Sequence, residues 1–208
     1  FTQVSTTEEA REVLRTMHID LVICMPGNAD NDAFSVARDI KAEFPHMHCI
    51  VLTPFSHGIT KRMENEDLSI FDYVFCWLGN TNLILSIIKL IEDKMNLEHD
   101  INEGGVQMIL LVEDSIRFYS SILPNLYNYI LAQSKRFATE PLNRHSATLR
   151  MRGRPKVVLA RNYEAAMALY EPYSDNVLGL ISDVRFPIHV HQDSEAGLKL
   201  MREIRQYD

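Results

Sequence analysis

The fold class follows from the stretch Met108-Ile109-Leu110-Leu111-Val112-Glu113-Asp114-Ser115. Its first five residues form an uninterrupted apolar run, which is typical of a strand buried on both faces of a parallel sheet. The acidic pair ends this run, and a long helical pattern begins at Ser115. A strand followed directly by a helix is the repeating unit of α/β folds, so we expect a protein of that class.

The same alternation recurs along the whole chain. Strands are predicted over residues 19–25, 48–53, 73–78, 107–112, 156–160 and 177–182. Helices are predicted between and after them, including residues 59–69, 80–95, 115–132, 163–173 and 194–207. Strands that alternate with helices of this length indicate βαβ units and parallel sheets. Right-handed crossovers then bring the carboxyl ends of the strands to one edge of each sheet, where ligands bind in such folds.

Composition excludes several classes of protein. Of the 208 residues, 46% are apolar and 24% are charged, which excludes a disordered or fibrous chain. Apolar runs are far shorter than the roughly 20 residues that cross a bilayer, and no leader is visible, so we expect a cytoplasmic protein without membrane contact. The three cysteines contain no Cys-x-x-Cys pair, which fits a reducing compartment.

Charge divides the sequence into two halves. Residues 1–103 contain 8 Lys and Arg against 17 Asp and Glu, whereas residues 104–208 contain 13 against 11. The junction reads Asn102-Glu103-Gly104-Gly105, which is polar and flexible. We therefore expect two domains, residues 1–103 and residues 104–208.

Acidic residues follow two strands of the second half. Glu113 and Asp114 follow its first predicted strand, and Asp183 follows its third. If these strands are neighbours, the three carboxylates converge, and without a cation at least one should keep a proton. A hard divalent ion removes this conflict, and Mg²⁺ bound by carboxylates and water is the natural choice. One carboxylate oxygen could then attack a phosphoryl group. The alternative is that these acids only form turns and cap helices.

This pattern of strand ends resembles the receiver domain of two-component response regulators. The resemblance implies a flavodoxin-like fold with parallel strands in the order 2-1-3-4-5, flanked by helices. It implies that Asp183 is the phosphoacceptor, that Glu113, Asp114 and Asp183 bind Mg²⁺, and that the backbone carbonyl of Arg185 completes the metal site. The resemblance covers three strands and three helices of residues 104–208, and the last strands of the family are missing there.

The first half resembles a degenerate receiver that lacks the first strand of the family. By position, Met25 lies at the phosphoacceptor site, Thr53 matches the Ser/Thr of the fourth strand, and Cys76 replaces the Lys of the fifth. Methionine cannot be phosphorylated, so this unit is expected to serve packing or partner contacts. The two tandem units thus look incomplete, and strand exchange between the halves or between molecules is left open, because unpaired strand edges are unfavourable.

A basic insertion at about residues 133–155 interrupts the second unit. Residues 133–161 contain eight Lys and Arg against one Glu. This excess of positive charge is typical of a surface that binds phosphates or an acidic partner. The candidate binding residues are Arg144, Arg150, Arg152 and Arg154. The segment Arg152-Gly153-Arg154-Pro155 is similar to the core of an AT-hook, so DNA binding is a lesser alternative. We favour a turn into the next strand, with arginines that dock on the acidic half or on a partner.

The stretch from Leu123 to Lys156 also resembles the N-terminal regulatory region of bacterial phosphoenolpyruvate synthase-like proteins, which are related to pyruvate, phosphate dikinase. The likeness extends through Ser182-Asp183-Val184-Arg185-Phe186-Pro187 and Glu195-Ala196-Gly197-Leu198-Lys199. None of that family's catalytic machinery is recognisable, so whether the chain belongs to an enzyme stays open. The resemblances imply a cytoplasmic signalling module with a sensor kinase or other phosphodonor as partner. A larger enzyme or effector domain in the same gene product is also expected, and homo-oligomerisation is left open. The alternative is an unphosphorylated scaffold that regulates or assembles a larger phosphoenolpyruvate-utilising kinase.

Two other folds are disfavoured. Haloacid-dehalogenase-type phosphotransferases place a second Asp two residues after the first, where this chain has Arg185. A dinucleotide-binding fold would need a glycine-rich turn after a strand, and no strand is followed by one.

The His46/His48 and His189/His191 pairs have no third ligand nearby in the sequence, so we interpret them as structural or surface residues.

Overall fold

The structure is a computed structural model that describes residues 2–25, 33–54, 68–138 and 153–206. It has a mixed α/β fold with parallel sheets flanked by helices, which confirms the predicted class. The chain forms two compact units, Phe1–Asn80 and Thr81–Asp208. The predicted helix over residues 59–69 falls mostly outside the described residues, which resume with a short 3₁₀ helix at Leu68–Ile70.

The described part of the first unit contains two helices and three strands. They are α1 (Thr7–Thr16), β1 (Leu21–Cys24), α2 (Ala33–Glu43), β2 (His48–Pro54) and β3 (Tyr73–Trp77). The strands are parallel in the order β1-β2-β3, and the central strand β2 is almost entirely buried. This central position explains why its sequence is a continuous apolar run.

Polar side chains determine where the elements of the first unit begin. The Thr6 hydroxyl accepts a hydrogen bond from the Glu9 backbone N–H, and the Glu9 carboxylate accepts from the Thr6 N–H, so a capping box starts α1. Ahead of β3, Asp72 accepts from the Cys49 N–H at 3.0 Å and contacts His48 Nδ1 at 2.9 Å. Asp72 thereby connects the start of β3 to the start of β2.

The described part of the second unit contains four helices and five strands. They are α3 (Asn82–Gly104), β4 (Met108–Val112), α4 (Ile116–Ala138), β5 (Lys156–Ala160), α5 (Tyr163–Tyr170), β6 (Val177–Ser182), β7 (Phe186–Ile188), β8 (His191–Asp193) and α6 (Ala196–Ile204). Strands β5-β4-β6 form a parallel sheet in that order, with β4 in the centre. Strands β7 and β8 form a separate antiparallel hairpin, called the hairpin below.

The boundary between the units lies before α3, whereas the sequence predicted it after residue 103. Helix α3 packs on α4 and β5, and its residues Leu97 and Ile101 belong to the same buried core as Met108 and Leu110 of β4. The net charge does differ between residues 1–103 and residues 104–208, but this difference does not coincide with the boundary between the units. The burial of one face of α3 determines which unit contains the helix.

Two further elements differ from the expectation. Helix α4 continues to Ala138, so the first residues of the predicted insertion are helical. The hairpin lies between the predicted strand at 177–182 and the predicted helix at 194–207, where the sequence predicts no element. Strands of three residues are too short to show an alternating pattern. Within the described parts of the chain, no helix combines the length and the apolar character that a membrane crossing requires.

Candidate metal centre

The sheet of the second unit brings two strand ends together. Val112, the last residue of β4, lies opposite Ala160 of β5 and Ser182 of β6. The ladder continues one residue further, because the Glu113 N–H donates to the Ala160 carbonyl at 3.0 Å and the Asp183 N–H donates to the Val112 carbonyl at 3.0 Å. The backbones of residues 113 and 183 are therefore fixed side by side at the carboxyl edge of the sheet.

The carboxylates of Glu113, Asp114 and Asp183 form a cluster at this edge. One oxygen atom of each lies within 4.8 Å of the corresponding atoms of the other two. Glu113 is buried with 6% of its surface exposed, Asp114 is half-buried and Asp183 is exposed. The structure thus brings together the three acids that the sequence predicted to converge.

Each carboxylate of the cluster also accepts a hydrogen bond from a nearby donor. Glu113 Oε1 accepts from the Ser115 N–H at 3.0 Å, just ahead of α4. Asp183 Oδ1 accepts from the Val184 N–H at 2.7 Å, and Asp114 Oδ2 accepts from Gln192 Nε2 at 2.5 Å. These donors orient the carboxylates, but they leave other lone pairs of each group for further ligands.

Burial raises the pKa of Glu113 above the ordinary range of a carboxyl group, and the charges of Asp183 and Asp114 raise it further. The hydrogen bond from the Ser115 N–H lowers the pKa and opposes this shift in part. The folded protein therefore disfavours the charged form of Glu113 when nothing offsets the negative charge around it.

The donor set fits a hard cation. Three carboxylates supply only oxygen ligands, which Mg²⁺ and Ca²⁺ prefer, and the cluster contains no His or Cys donor. A divalent cation would also offset the repulsion among the three charges. Glu113, Asp114 and Asp183 thus form a set of oxygen ligands that could hold a metal ion.

A glycine of α6 supports the backbone that follows β6. The Gly197 N–H donates to the Val184 carbonyl at 3.0 Å, and a Cβ atom at position 197 would lie only 2.3 Å from the Asp183 carbonyl oxygen. Only glycine permits this close approach. The role of Gly197 was not predicted, because a glycine near the start of a helix does not reveal what packs against it.

Gln192 of the hairpin is the other residue that the sequence analysis missed. It is exposed, and its contact with Asp114 joins positions 78 residues apart in the chain. An isolated Gln in a polar stretch gives no pattern from which this contact could be predicted. Arg185 is exposed two residues after Asp183, and the role of its carbonyl stays a prediction.

The three positions that the resemblance assigned to a degenerate receiver site, Met25, Thr53 and Cys76, lie at or just after the strand ends of the first unit. Thr53 and Cys76 are opposite each other on β2 and β3, and both are buried. The Thr53 hydroxyl donates to the Phe75 carbonyl at 3.5 Å. Met25 follows β1 and is 60% exposed. This edge therefore presents a thioether where the edge of the second unit presents Asp183.

The basic insertion is described only at its two ends, residues 133–138 and 153–155. Arg144, Arg150 and Arg152 lie outside the described residues. Arg154 is 5% exposed, and its guanidinium bonds both carboxylate oxygens of Asp93, at 2.6 and 2.9 Å. The Arg154 guanidinium thus faces a buried carboxylate, and its role in binding phosphates or a partner stays a prediction. Asp93 belongs to the acidic half of the sequence, as the docking interpretation expected.

No protein-family model matches the chain, and neither a curated protein nor a solved structure is significantly similar to it.

Proposed function

We propose that the second unit is a receiver-like regulatory module in which Asp183 accepts a phosphoryl group while Glu113, Asp114 and Asp183 hold Mg²⁺. The observation behind this proposal is the convergence of the three carboxylates at the ends of two neighbouring parallel strands. A strand edge with this donor set is suited to phosphoryl chemistry, because a divalent cation offsets the charge of both the acids and the phosphate.

The strand orders support the finer fold assignment. The order β5-β4-β6 corresponds to strands 2-1-3 of a flavodoxin-like sheet, counted along the second unit. The order β1-β2-β3 of the first unit corresponds to strands 3-4-5 of the same sheet, as the resemblance to receivers implies. We therefore assign both units to tandem receiver-like folds.

The different environments of the acids suggest different roles. Asp183 is the exposed member, so a phosphodonor can reach it, whereas Glu113 is buried. An oxygen of Asp183 attacks the phosphorus atom of the donor, the bond from phosphorus to the donor's leaving group breaks, the leaving group departs with the electron pair, and an acyl phosphate forms on Asp183. Mg²⁺, when bound, supplies charge neutralisation for this transfer. The carbonyl of Arg185 is the fourth protein ligand implied by the resemblance.

Phosphorylation would replace the single negative charge of the Asp183 carboxylate with the phosphoryl group's charge of about −1.5 to −2, and it would change what the surrounding surface binds. The phosphodonor would be a sensor kinase or another phosphorylated partner. The output would pass to an effector domain or a larger enzyme. This regulatory role is the function that we propose for the chain.

A second candidate function is an unphosphorylated scaffold for a larger phosphoenolpyruvate-utilising kinase. The first unit favours it, because exposed Met25 lies at the phosphoacceptor position and buried Cys76 lies at the position of the family's Lys. We do not extend the proposal to DNA binding, since the guanidinium of Arg154 is engaged by Asp93.

Intact-mass measurement separates the two candidates. The chain is incubated with acetyl phosphate and Mg²⁺, and one phosphoryl group adds about 80 Da. We expect the adduct in the native protein and in Asp175→Asn, which changes another exposed acid of the same unit. The adduct should be absent in Asp183→Asn and after chelation of Mg²⁺. Absence of the adduct from the native protein would favour the scaffold.

A further inference from the structure

Helix α4 has an exposed face that carries no charge. None of the residues from Phe118 to Ser134 is Asp, Glu, Lys, Arg or His. Phe118 is 56% exposed and Tyr129 is 65% exposed, and they lie on one side of the helix because about 11 residues make three turns. Ser121 and Asn125 are exposed on this side between the two aromatic rings. These four residues are called the α4 face below.

The polar side chains of the α4 face make hydrogen bonds within their own helix. The Ser121 hydroxyl donates to the Phe118 carbonyl at 3.0 Å, and the Asn125 side-chain amide donates to the Ser121 carbonyl at 3.4 Å. A molecule that covers this face therefore leaves these donors with their acceptors. Exposed aromatic rings together with an absence of charge are typical of the centre of a protein–protein interface.

Other exposed helical surfaces of the chain are charged. Helix α3 exposes Lys94 and Glu98, and α6 exposes Lys199 and Arg202. The chain has a formal net charge of −7, so two copies repel each other over most orientations. The α4 face is a surface at which two copies can meet without burying like charges.

The two ends of α4 carry charges of opposite sign. Glu113 and Asp114 precede its first turn, whereas Lys135 and Arg136 lie in its last turn. Arg136 is exposed and follows the α4 face, and Arg117 lies about 100° around the helix from the first residue of that face. Two antiparallel copies of α4 would place each basic end beside the acidic end of the other. Two parallel copies would place like charges together, which is unfavourable.

We propose that the α4 face binds a second copy of this chain, with the two α4 helices antiparallel across a two-fold axis. Phe118 of each copy then lies beside Tyr129 of the other, and the small polar residues between them let the helices approach closely. Arg136 of each copy lies near Asp114 of the other. The proposal goes beyond the proposed function and is independent of it, since it requires neither a cation nor phosphorylation.

The size of the face determines how strong this association is. The distance along the helix from Phe118 to Tyr129 is about 17 Å. A single pair of helices over this length is smaller than the interface of about 800 Å² per partner that is usual for stable complexes. We therefore expect a weak dimer with a dissociation constant of roughly 10–100 µM.

Sedimentation equilibrium of the whole chain between about 5 and 500 µM, a range that brackets this constant, measures the association. We expect the native protein to change from monomer to dimer over this range. Tyr129→Glu places a charge in the contact and should weaken the dimer at least about tenfold. Met95→Glu is the matched control, because Met95 is 51% exposed on α3, and it should dimerise like the native protein.

A second pair of variants tests the charges at the ends of α4. Arg136→Glu should weaken the dimer about three- to tenfold, because it places an acid beside the acidic end of the second copy. Arg202→Glu makes the same change of charge on the exposed surface of α6 and should have little effect. The urea midpoint of each variant shows whether it is folded, and all four substituted side chains are exposed.

Disulfide formation tests the orientation of the two helices. Ser121→Cys and Asn128→Cys change two exposed positions about two turns apart. Mild oxidation should link the two variants in a mixture, but neither variant to itself. The native cysteines are buried, and burial raises the pKa of Cys24 to about 12 and that of Cys49 to about 11, so the introduced thiols react first.

Several results would overturn the proposal. A native protein that stays monomeric at the highest concentration would exclude the dimer. Equal association of Tyr129→Glu and the native protein, or equal weakening by Met95→Glu, would show that the α4 face is not the contact. Disulfide-linked dimers of Ser121→Cys alone would contradict the antiparallel arrangement. None of these results depends on whether the acidic cluster binds Mg²⁺.

Discussion

Glu113 is the most constrained of the three acids. It is buried, the other two carboxylates lie within 4.8 Å, and its pKa is raised first by burial and then by Asp183 and Asp114. A carboxyl group whose pKa is raised by folding favours the folded state at low pH. That contribution is lost as the pH rises through the raised pKa.

We therefore predict that Glu113→Gln stabilises the protein at pH 8 when no divalent cation is present. The amide is uncharged, and its oxygen can still accept from the Ser115 N–H. Below the ordinary carboxyl pKa of about 4 the advantage should vanish, because Glu113 is then neutral in both states. Urea unfolding at both pH values measures the effect, with the exposed Glu103→Gln as control. A loss of stability in Glu113→Gln at pH 8 would contradict this account of the site.

Asp93 is a second buried carboxylate, and its environment is the opposite of that of Glu113. It is fully buried, but it accepts hydrogen bonds from Arg154, the Tyr127 hydroxyl and the Val157 N–H. Lys156 lies 3.8 Å from it and 2.5 Å from Asp100. Asp93 is thus paired and saturated with donors, which is the condition under which a buried charge is tolerated.

We predict that Asp93→Asn destabilises the protein by about 3–5 kcal/mol, because it leaves the buried Arg154 without its counter-charge. The matched control is Glu92→Gln, on the same helix, which breaks the partly exposed pair with Lys89 and should cost less than about 1 kcal/mol. Denaturant unfolding compares the two. Equal losses would mean that the Asp93 cluster does not stabilise the fold as described.

At the scale of the element, the segment after β6 depends on α6. The Gly197 N–H donates to the Val184 carbonyl, and no side chain fits between α6 and the Asp183 backbone. The position of Asp183 is therefore determined by a helix that contributes no ligand to the cluster.

Gly197→Ala should lower both stability, by about 1–3 kcal/mol, and cation affinity, because the added methyl group displaces the Asp183 backbone. Gly179→Ala in β6 is the control, since a Cβ atom there meets nothing within 4 Å. Unfolding and Mn²⁺ titration test both variants. If Gly197→Ala behaves like Gly179→Ala, α6 does not hold the Asp183 segment in place.

The sequence predicted the six strands of the parallel sheets well, but not the two short strands of the hairpin or the contacts around the site. The strands at 156–160 and 177–182 matched residue by residue, because continuous apolar runs with clear ends leave little choice. The approach of Asp183 to Glu113 was predictable, since parallel neighbours share an edge. Gly197 and Gln192 were not, because their roles come from packing between elements distant in the sequence. The position of α3 was missed for the same reason.

At the scale of the whole molecule, the second unit includes α3. This helix supplies Leu97 and Ile101 to the core and Asp93 to the buried ion pair with Arg154. A boundary drawn by charge alone would remove these residues from the sheet that they cover.

A fragment of residues 81–208 should therefore fold, whereas a fragment of residues 105–208 should not. The shorter fragment exposes the apolar surface under α3 and leaves Arg154 and Lys156 buried without Asp93 and Asp100. A cooperative urea transition, followed by circular dichroism, distinguishes folded from unfolded fragments. A cooperative transition of equal midpoint in both would show that α3 is dispensable.

The two units differ at the carboxyl ends of their strands, since one carries three acids and the other carries the exposed Met25 and the buried Thr53 and Cys76. The whole account depends on the acidic edge. If the second unit binds a single cation there, the division into one reactive and one degenerate unit has a chemical basis.

Calorimetric titration with Mg²⁺ tests this most directly, on the native chain, on Asp183→Ala and on Asp175→Ala. We predict one Mg²⁺ per chain in the native protein and in Asp175→Ala. Asp183→Ala should bind at least about tenfold more weakly, since loss of a charged ligand at a site of few ligands is worth more than about 1.4 kcal/mol. No saturable binding, or equal affinity in all three proteins, would contradict the account.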